Sequence, residues 1–365
     1  MGMEQGVRKN NFGFIRLLGA VMVITGHMYV LTGQNAPMFM WETIHGFGVA
    51  SFFVIGGYLI TKSWMRCPVF KQYILKRIFR IFPALIVWVL LTVFVIGPLL
   101  TSLSIKEYFG HPLTWKYILN CVLYINHLLP GVFENNIGSK AVNGSLWCLP
   151  VEFLMYLIIP IYINIGKKLS DKMQRLYYGG STIAVVVARI VWDTCFQNGS
   201  GLWVEANYLN QFIIGACTST LRIIPYFFMG SLFASCRLEK YLSTQAAIAI
   251  VFIMSGLAYL SDLSCYVGQY ICISYVVLSL ALAEKPIFAA FNEKDISYGM
   301  FLSGHVIQQS WIHMFIRKGY AIDIGLLFIL SIFSSIVIGF YTEKFIEKPA
   351  GKISNRIIGK MENGR

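Results

Sequence analysis

Apolar residues run along this chain in long blocks, and short stretches rich in lysine and arginine separate many of them. A helix needs ~20 consecutive, mostly apolar residues to span a bilayer. Blocks on that scale fall at roughly 12–32, 45–62, 81–101, 145–166, 179–196, 219–236, 245–262, 266–283, 296–316 and 322–346. One further segment, LTWKYILNCVLYINHLLPGVF (Leu113 to Phe133), is apolar but interrupted by Asn120, Asn126, His127 and Pro130. Charge decides how it is read. The basic stretches are Arg8 with Lys9, Lys62 to Arg80, Lys167 to Arg175, and Lys348 to Lys360. Basic loops stay on the cytoplasmic side, and these four share a side only if Leu113–Phe133 does not cross. The pattern therefore predicts an all-α, polytopic membrane bundle of about ten transmembrane helices. Both termini are cytoplasmic, 113–133 is interfacial or re-entrant, and residues 1–365 form one membrane domain with no appended soluble domain.

Composition agrees: 56% of residues are hydrophobic and only 13% are charged, against about 25% charged in soluble domains. The net charge of +13 does not call for nucleic acid, because positive-inside loops raise the charge of any polytopic protein. The eight cysteines contain no CxxC pair, and most sit in apolar stretches as small buried hydrophobes. Cys195 and Cys265 fall near the predicted outer face, with nothing in the sequence that pairs them. Arg8 and Lys9 before an apolar run imitate a signal peptide, but no small-residue cleavage site follows and Arg16 interrupts the run. An uncleaved first span is the reading.

That first span carries two costly groups, Arg16 and His27, in FIRLLGAVMVITGH (Phe14 to His27). Ionisable residues within a span usually face the bundle interior and mark function. Each has a plainer explanation. Arg16 can snorkel to headgroup phosphates, and His27 can serve as an interhelical hydrogen-bond partner. The spacing favours function: eleven residues come within roughly 20° of three full turns, so both side chains share one face, ~16 Å apart along the axis. That is close to the scale of an extended pantetheine arm.

At this point the chain resembles the acyltransferase-3 family of integral membrane acyltransferases. IRLLGAVMVITGH is similar to its first-helix motif, and GVASFFVIGGYLI (Gly48 to Ile60) to its second-span signature. LKRIFRIFPAL (Leu75 to Leu85) resembles its Arg-x-x-Arg-Ile-x-Pro loop, and GSLWCLPVEFLMYLIIP (Gly144 to Pro160) its Ser-Leu-Trp…Glu…Tyr…Pro block. ISYGMFLSGH (Ile296 to His305) and EKFIEKP (Glu343 to Pro349) follow in the same order. Three positions depart from the pattern: Gly19 stands where alanine is usual, Ala50 where aspartate often occurs, and Gly56 where serine is common. An acceptor contact through an acid at position 50 is thereby lost.

The resemblance implies a bacterial inner-membrane O-acyltransferase that moves acetyl from cytoplasmic acetyl-CoA to a hydroxyl of an envelope or exported glycan, free or lipid-linked. Arg77 and Arg80, three apart on one helical face with Pro83 suited to opening the next span, suit the donor's phosphates. Arg16 lines the entrance. His27, ~15 residues into its span, is the catalytic base or a transient acyl carrier. Glu152 orients it or holds the sugar, its plainer role being partner to a buried Arg or Tyr. Trp147 stacks on the acceptor, with Tyr156, Tyr298 and His305 as further substrate contacts; aromatic-belt packing is the alternative for Trp147 and Tyr156. Tyr298 and His305, seven apart, lie near one face. No metal is expected: the six histidines contain no i, i+4 pair, no HExxH and no cysteine cluster. The chain's partners are then the glycan and the surrounding lipid, with self-association left open. A flippase for lipid-linked glycans and a structural membrane partner are the rival readings.

Overall fold

The computed structural model describes residues 10–196, 208–258, 262–283 and 294–363. In chain order it holds α1 (Phe12–Leu31), a minimal hairpin of β1 (Met38–Phe39) and β2 (Glu42–Thr43), α2 (Ile44–Arg66), α3 (Phe70–Leu91), α4 (Gly97–Leu100), α5 (Ile105–Gly110), α6 (Pro112–Ile118) and α7 (Cys148–Gly166). Then come α8 (Asp171–Phe196), α9 (Tyr208–Ser235), α10 (Thr244–Ala258), α11 (Asp262–Ala281), α12 (Ser297–Arg317), α13 (Ile324–Thr342) and α14 (Lys348–Asn363). The antiparallel hairpin makes the fold nearly, rather than wholly, all-α. Within the described residues each apolar block is helical, although α10, at 15 residues, is short for a span.

Only part of the ten-span expectation is met. Among the described residues, five helices are long and apolar enough to cross a membrane: Phe12–Leu31, Ile44–Arg66, Phe70–Leu100, Gly144–Gly166 and Ile324–Glu362. Others dilute their apolar character with polar groups turned inward. α12 is the clearest case, with Ser297, Ser303, His305, Gln308 and Gln309 all buried.

Two predicted boundaries move. Pro83 does not open a span but lies inside α3, so the basic stretch and the apolar block form one rod. A π-helical turn at Thr92–Ile96 joins α3 to α4, and a second at Glu343–Glu347 joins α13 to α14, carrying the basic tail on as helix. The rods meet at these turns, where Trp88 Nε1 donates to Thr342 Oγ1 at 3.2 Å.

Segment 113–133 contains only α6, a 3-10 turn at Leu119–Val122 and irregular chain. It returns to its starting point: Ser102 N–H donates to the Gly131 carbonyl at 2.9 Å, and Thr101 Oγ1 to the Pro130 carbonyl at 2.8 Å. The loop after it lies over the end of α1, with Gly138 N–H on the Leu31 carbonyl at 3.1 Å.

The opposite end of the bundle collects the basic stretches. Lys62 pairs with Glu239 at 2.6 Å, Trp64 Nε1 reaches Asn164 Oδ1 at 3.1 Å, and Arg80 pairs with Glu347. These contacts join the end of α2 to the turn after α9 and to the end of α7, and the middle of α3 to the turn after α13. Cys67, Cys121, Cys148, Cys217, Cys236 and Cys272 are free thiols, and the expected candidate pairing of Cys195 with Cys265 lies outside the described residues.

Candidate active site

Among the described residues, two cavities hold the candidate residues. The first, about 390 Å³, opens among cations at the basic end: Arg16 from α1, Arg66 from α2, and Lys76, Arg77 and Arg80 from α3. Arg16 donates to Asp295 Oδ2 at 2.8 Å, and Arg80 to the same oxygen at 3.2 Å and to Glu347. Ser297 completes the cluster by donating its hydroxyl to the other Asp295 oxygen. Burial alone would raise the Asp295 carboxyl, but the Arg16 and Arg80 guanidiniums and the Ser297 hydroxyl outweigh it and hold it at about 2. Two arginines are thus matched by two carboxylates.

Arg77 is differently placed. Its Nη2 donates to Ser63 Oγ at 3.0 Å, and its guanidinium lies 5.5 Å from the Tyr73 ring centroid and 5.9 Å from that of Tyr156. Its Nε is buried without a hydrogen-bond partner. Tyr156 donates to Glu152, and Tyr298 donates to the Ile81 carbonyl at 2.9 Å while its ring underlies Arg80.

The second cavity, about 320 Å³, lies toward the opposite end and contains His27. Three imidazoles gather there: the His27 ring is 5.3 Å from that of His305 and 5.5 Å from that of His45. His305 Nδ1 lies 3.3 Å from the Val142 carbonyl. A carbonyl can only accept, so Nδ1 carries a proton, which in the neutral ring leaves the lone pair on Nε2. The packing is close enough to demand glycine twice. A Cβ on Gly26 would lie 2.6 Å from the His45 Cβ, and one on Gly144 would lie 2.8 Å from His305 Nε2.

Local structure explains how these residues arrive. Thr43 caps α2 by accepting from Gly46 N–H at 3.2 Å, which starts the helix beside His45. Asn143 accepts from Ser145 N–H at 3.1 Å and donates to the Leu302 carbonyl at 2.8 Å, tying the turn that carries Gly144 and Trp147 to α12. At the hairpin, Arg222 Nε donates to Glu42 Oε1 at 3.1 Å and Nη2 to Oε2, a bidentate pair whose carboxylate is only 2% exposed.

The structure divides the sequence-predicted residues between the cavities. His27, His305 and Trp147 line the second; Arg16, Arg77, Arg80, Glu152, Tyr156 and Tyr298 line the first. The sequence reading sets Glu152 beside His27 or the acceptor sugar, and Tyr156 and Tyr298 against the acceptor. The structure puts all three among the arginines instead, because Glu152 and Tyr156 lie one and two turns beyond Cys148 toward the basic end. Ala50, one of the three departures from the family pattern named above, is fully buried and lines neither cavity. His45, Glu42 and Arg222 are site residues that the sequence reading missed. Arg222 carried a usable signal, since it falls inside an apolar block as Arg16 does.

A bundle of apolar helices with a cationic chamber at one end of its first helix and a histidine chamber toward the other belongs to an integral membrane protein. The family described as the acyltransferase domain, acyltransferase-3, matches residues 10–344, and the chain belongs to it. An O-acetyl transferase of Shigella phage Sf6 is 29% identical over 313 residues, covering 83% of this chain and 85% of that one. Nodulation protein 10 of Rhizobium leguminosarum bv. viciae is 24% identical over 378 residues, covering 96% of each. No solved structure matches.

Proposed function

We propose that this acyltransferase moves acetyl from cytoplasmic acetyl-CoA to a carbohydrate hydroxyl, as a bundle of about ten spans in a bacterial inner membrane with both termini inside. The observation that carries the reading is that Arg16 and His27, on one face of α1, line two adjoining cavities that share part of their walls. One chamber suits a phosphorylated donor, the other an acceptor, and the common wall is where they meet.

Arg77 is the leading phosphate ligand, because its buried Nε has no partner and a guanidinium fork fits phosphate. Lys76 and Arg66 add charge at the same mouth, whereas Arg16 and Arg80 are balanced by Asp295 and Glu347. Glu152 and Tyr156 bound the donor arm. His27 takes the proton of the acceptor hydroxyl as its oxygen attacks the thioester carbonyl; the C–O bond forms, the C–S bond breaks, and the proton passes to the departing thiolate. Trp147 offers a flat apolar face to a sugar ring. The O-acetyl transferase relative supports the acetyl group and oxygen acceptor.

The test uses purified protein in lipid, labelled acetyl-CoA and a panel of glycans. Transfer by the original chain, its loss in His27→Ala and weakened donor use in Arg77→Ala are expected. Folded protein that transfers nothing, or His27→Ala that transfers normally, overturns the reading and favours a flippase.

A further inference from the structure

Val49, Cys148 and Phe301 line both cavities. We propose that these three side chains form a collar that seats the acyl group during transfer and restricts the enzyme to short acyl chains. The inference deepens the donor assignment above and rests on it.

The collar is built with a regular offset. α2 supplies Val49 and, four residues before it, His45; α12 supplies Phe301 and, four residues after it, His305; α7 supplies Cys148 and, four residues after it, Glu152. Four residues advance ~6 Å along a helix. His45 and His305 therefore stand about one turn to one side of the collar, with the His27 ring 5.5 and 5.3 Å from theirs, and Glu152 stands about one turn to the other. A base must lie ~3 Å from the hydroxyl it deprotonates. That hydroxyl must lie ~3–3.5 Å from the carbon it attacks. The two reaches add to about one helical turn, which puts the thioester carbonyl at the collar when the hydroxyl is at His27.

The acyl chain beyond that carbonyl then packs against Val49, Cys148 and Phe301, and the room there is limited. Cys148 is 5% exposed and Phe301 7%, and the Phe301 ring is braced edge-on by Phe52 at 6.1 Å. On this proposal a methyl group is accommodated beside these side chains, and each added methylene has to displace one of them. One methylene in a tight apolar pocket is worth about 10–200-fold in discrimination. The reaction is the same for every chain length: the hydroxyl oxygen gains the acyl carbon, coenzyme A leaves as its thiol, and nothing is oxidised or reduced.

The experiment compares acetyl-, butyryl- and hexanoyl-CoA as donors to one accepted glycan, using the original chain, Val49→Ala, Cys148→Ala, Phe301→Leu and Val49→Leu, with thermal midpoints for each. The original chain should favour acetyl over butyryl by at least about a hundredfold in kcat/KM. Val49→Ala and Phe301→Leu should reduce that ratio by about tenfold or more, and Val49→Leu should raise it. Should Phe301→Leu fail to fold, Val49→Ala and Cys148→Ala, which remove atoms without adding any, carry the comparison. Acetyl transfer with unchanged ratios in folded variants, or an original chain that uses butyryl as well as acetyl, overturns the collar alone. No transfer of any acyl group by the folded original chain overturns the donor assignment and the collar together.

Discussion

His27 owes its setting to the residue before it. With no side chain on Gly26, α2 can approach until His45 stands against the α1 backbone. Gly26→Ala should separate the two helices at this point. Overpacking of this kind costs about 1–3 kcal/mol, and a lowered thermal midpoint together with a lowered transfer rate would report it. His27→Ala has the opposite signature, a rate loss of about 10²–10⁴-fold with a midpoint close to that of the original chain. Arg77 should act on donor binding. Arg77→Ala removes a charged hydrogen-bonding group worth roughly 1.5–3 kcal/mol, so KM for acetyl-CoA rises with little change in kcat, and Arg77→Lys restores only part of it because an ammonium lacks the fork. A KM that stays unchanged in Arg77→Ala would argue that the phosphates bind elsewhere.

Between elements, the tie that matters most to the acceptor chamber is the pair joining the hairpin to α9. Glu42 is almost fully buried, whereas the Arg222 side chain is 42% exposed, so their losses are not equivalent. Arg222→Ala leaves a buried carboxylate without its guanidinium, and losing a charged hydrogen-bond partner there costs roughly 1.5–3 kcal/mol. Glu42→Gln leaves an arginine that still reaches solvent and an amide that can still accept, and it should cost clearly less, ~1 kcal/mol. Equal losses of thermal stability in the two variants would contradict this asymmetry. The π-helical turns at Thr92–Ile96 and Glu343–Glu347 work on the same scale. Each shifts the residues beyond it relative to a regular helix, and the second delivers Glu347 to Arg80.

For the whole molecule, the collected basic end is the main consequence of the topology. Contacts from Lys62, Trp64 and Arg80 bring three basic stretches to one end, while the 101–143 region covers the other. With the positive-inside rule, a reporter active only in the cytoplasm should be active when fused after Lys168 and inactive when inserted at Asn135. The reverse pattern would invert the protein in the membrane and place the cationic chamber away from cytoplasmic coenzyme A.

Much of this was legible in the sequence, for a local reason. A span must satisfy its own backbone in lipid, so apolar blocks of the required length become helices wherever they end up packed, and each predicted block is a helix. The relation of Arg16 to His27 was also legible, because two residues on one helix are related by its fixed pitch. That 113–133 is no long helix followed from its broken apolar pattern. What the sequence could not determine is where one helix stands in depth against another. α7 begins after a long irregular loop, and that loop's hydrogen bond to α12, not any periodicity, sets Cys148 at the depth of the wall between the chambers, so that Glu152 falls among the arginines and Trp147 among the histidines. Glu42 and Arg222 are 180 positions apart, and only the packing of α2 on α9 joins them. Helix formation is a property of each segment, but the two chambers and the wall between them exist only once separate helices have set one another's height.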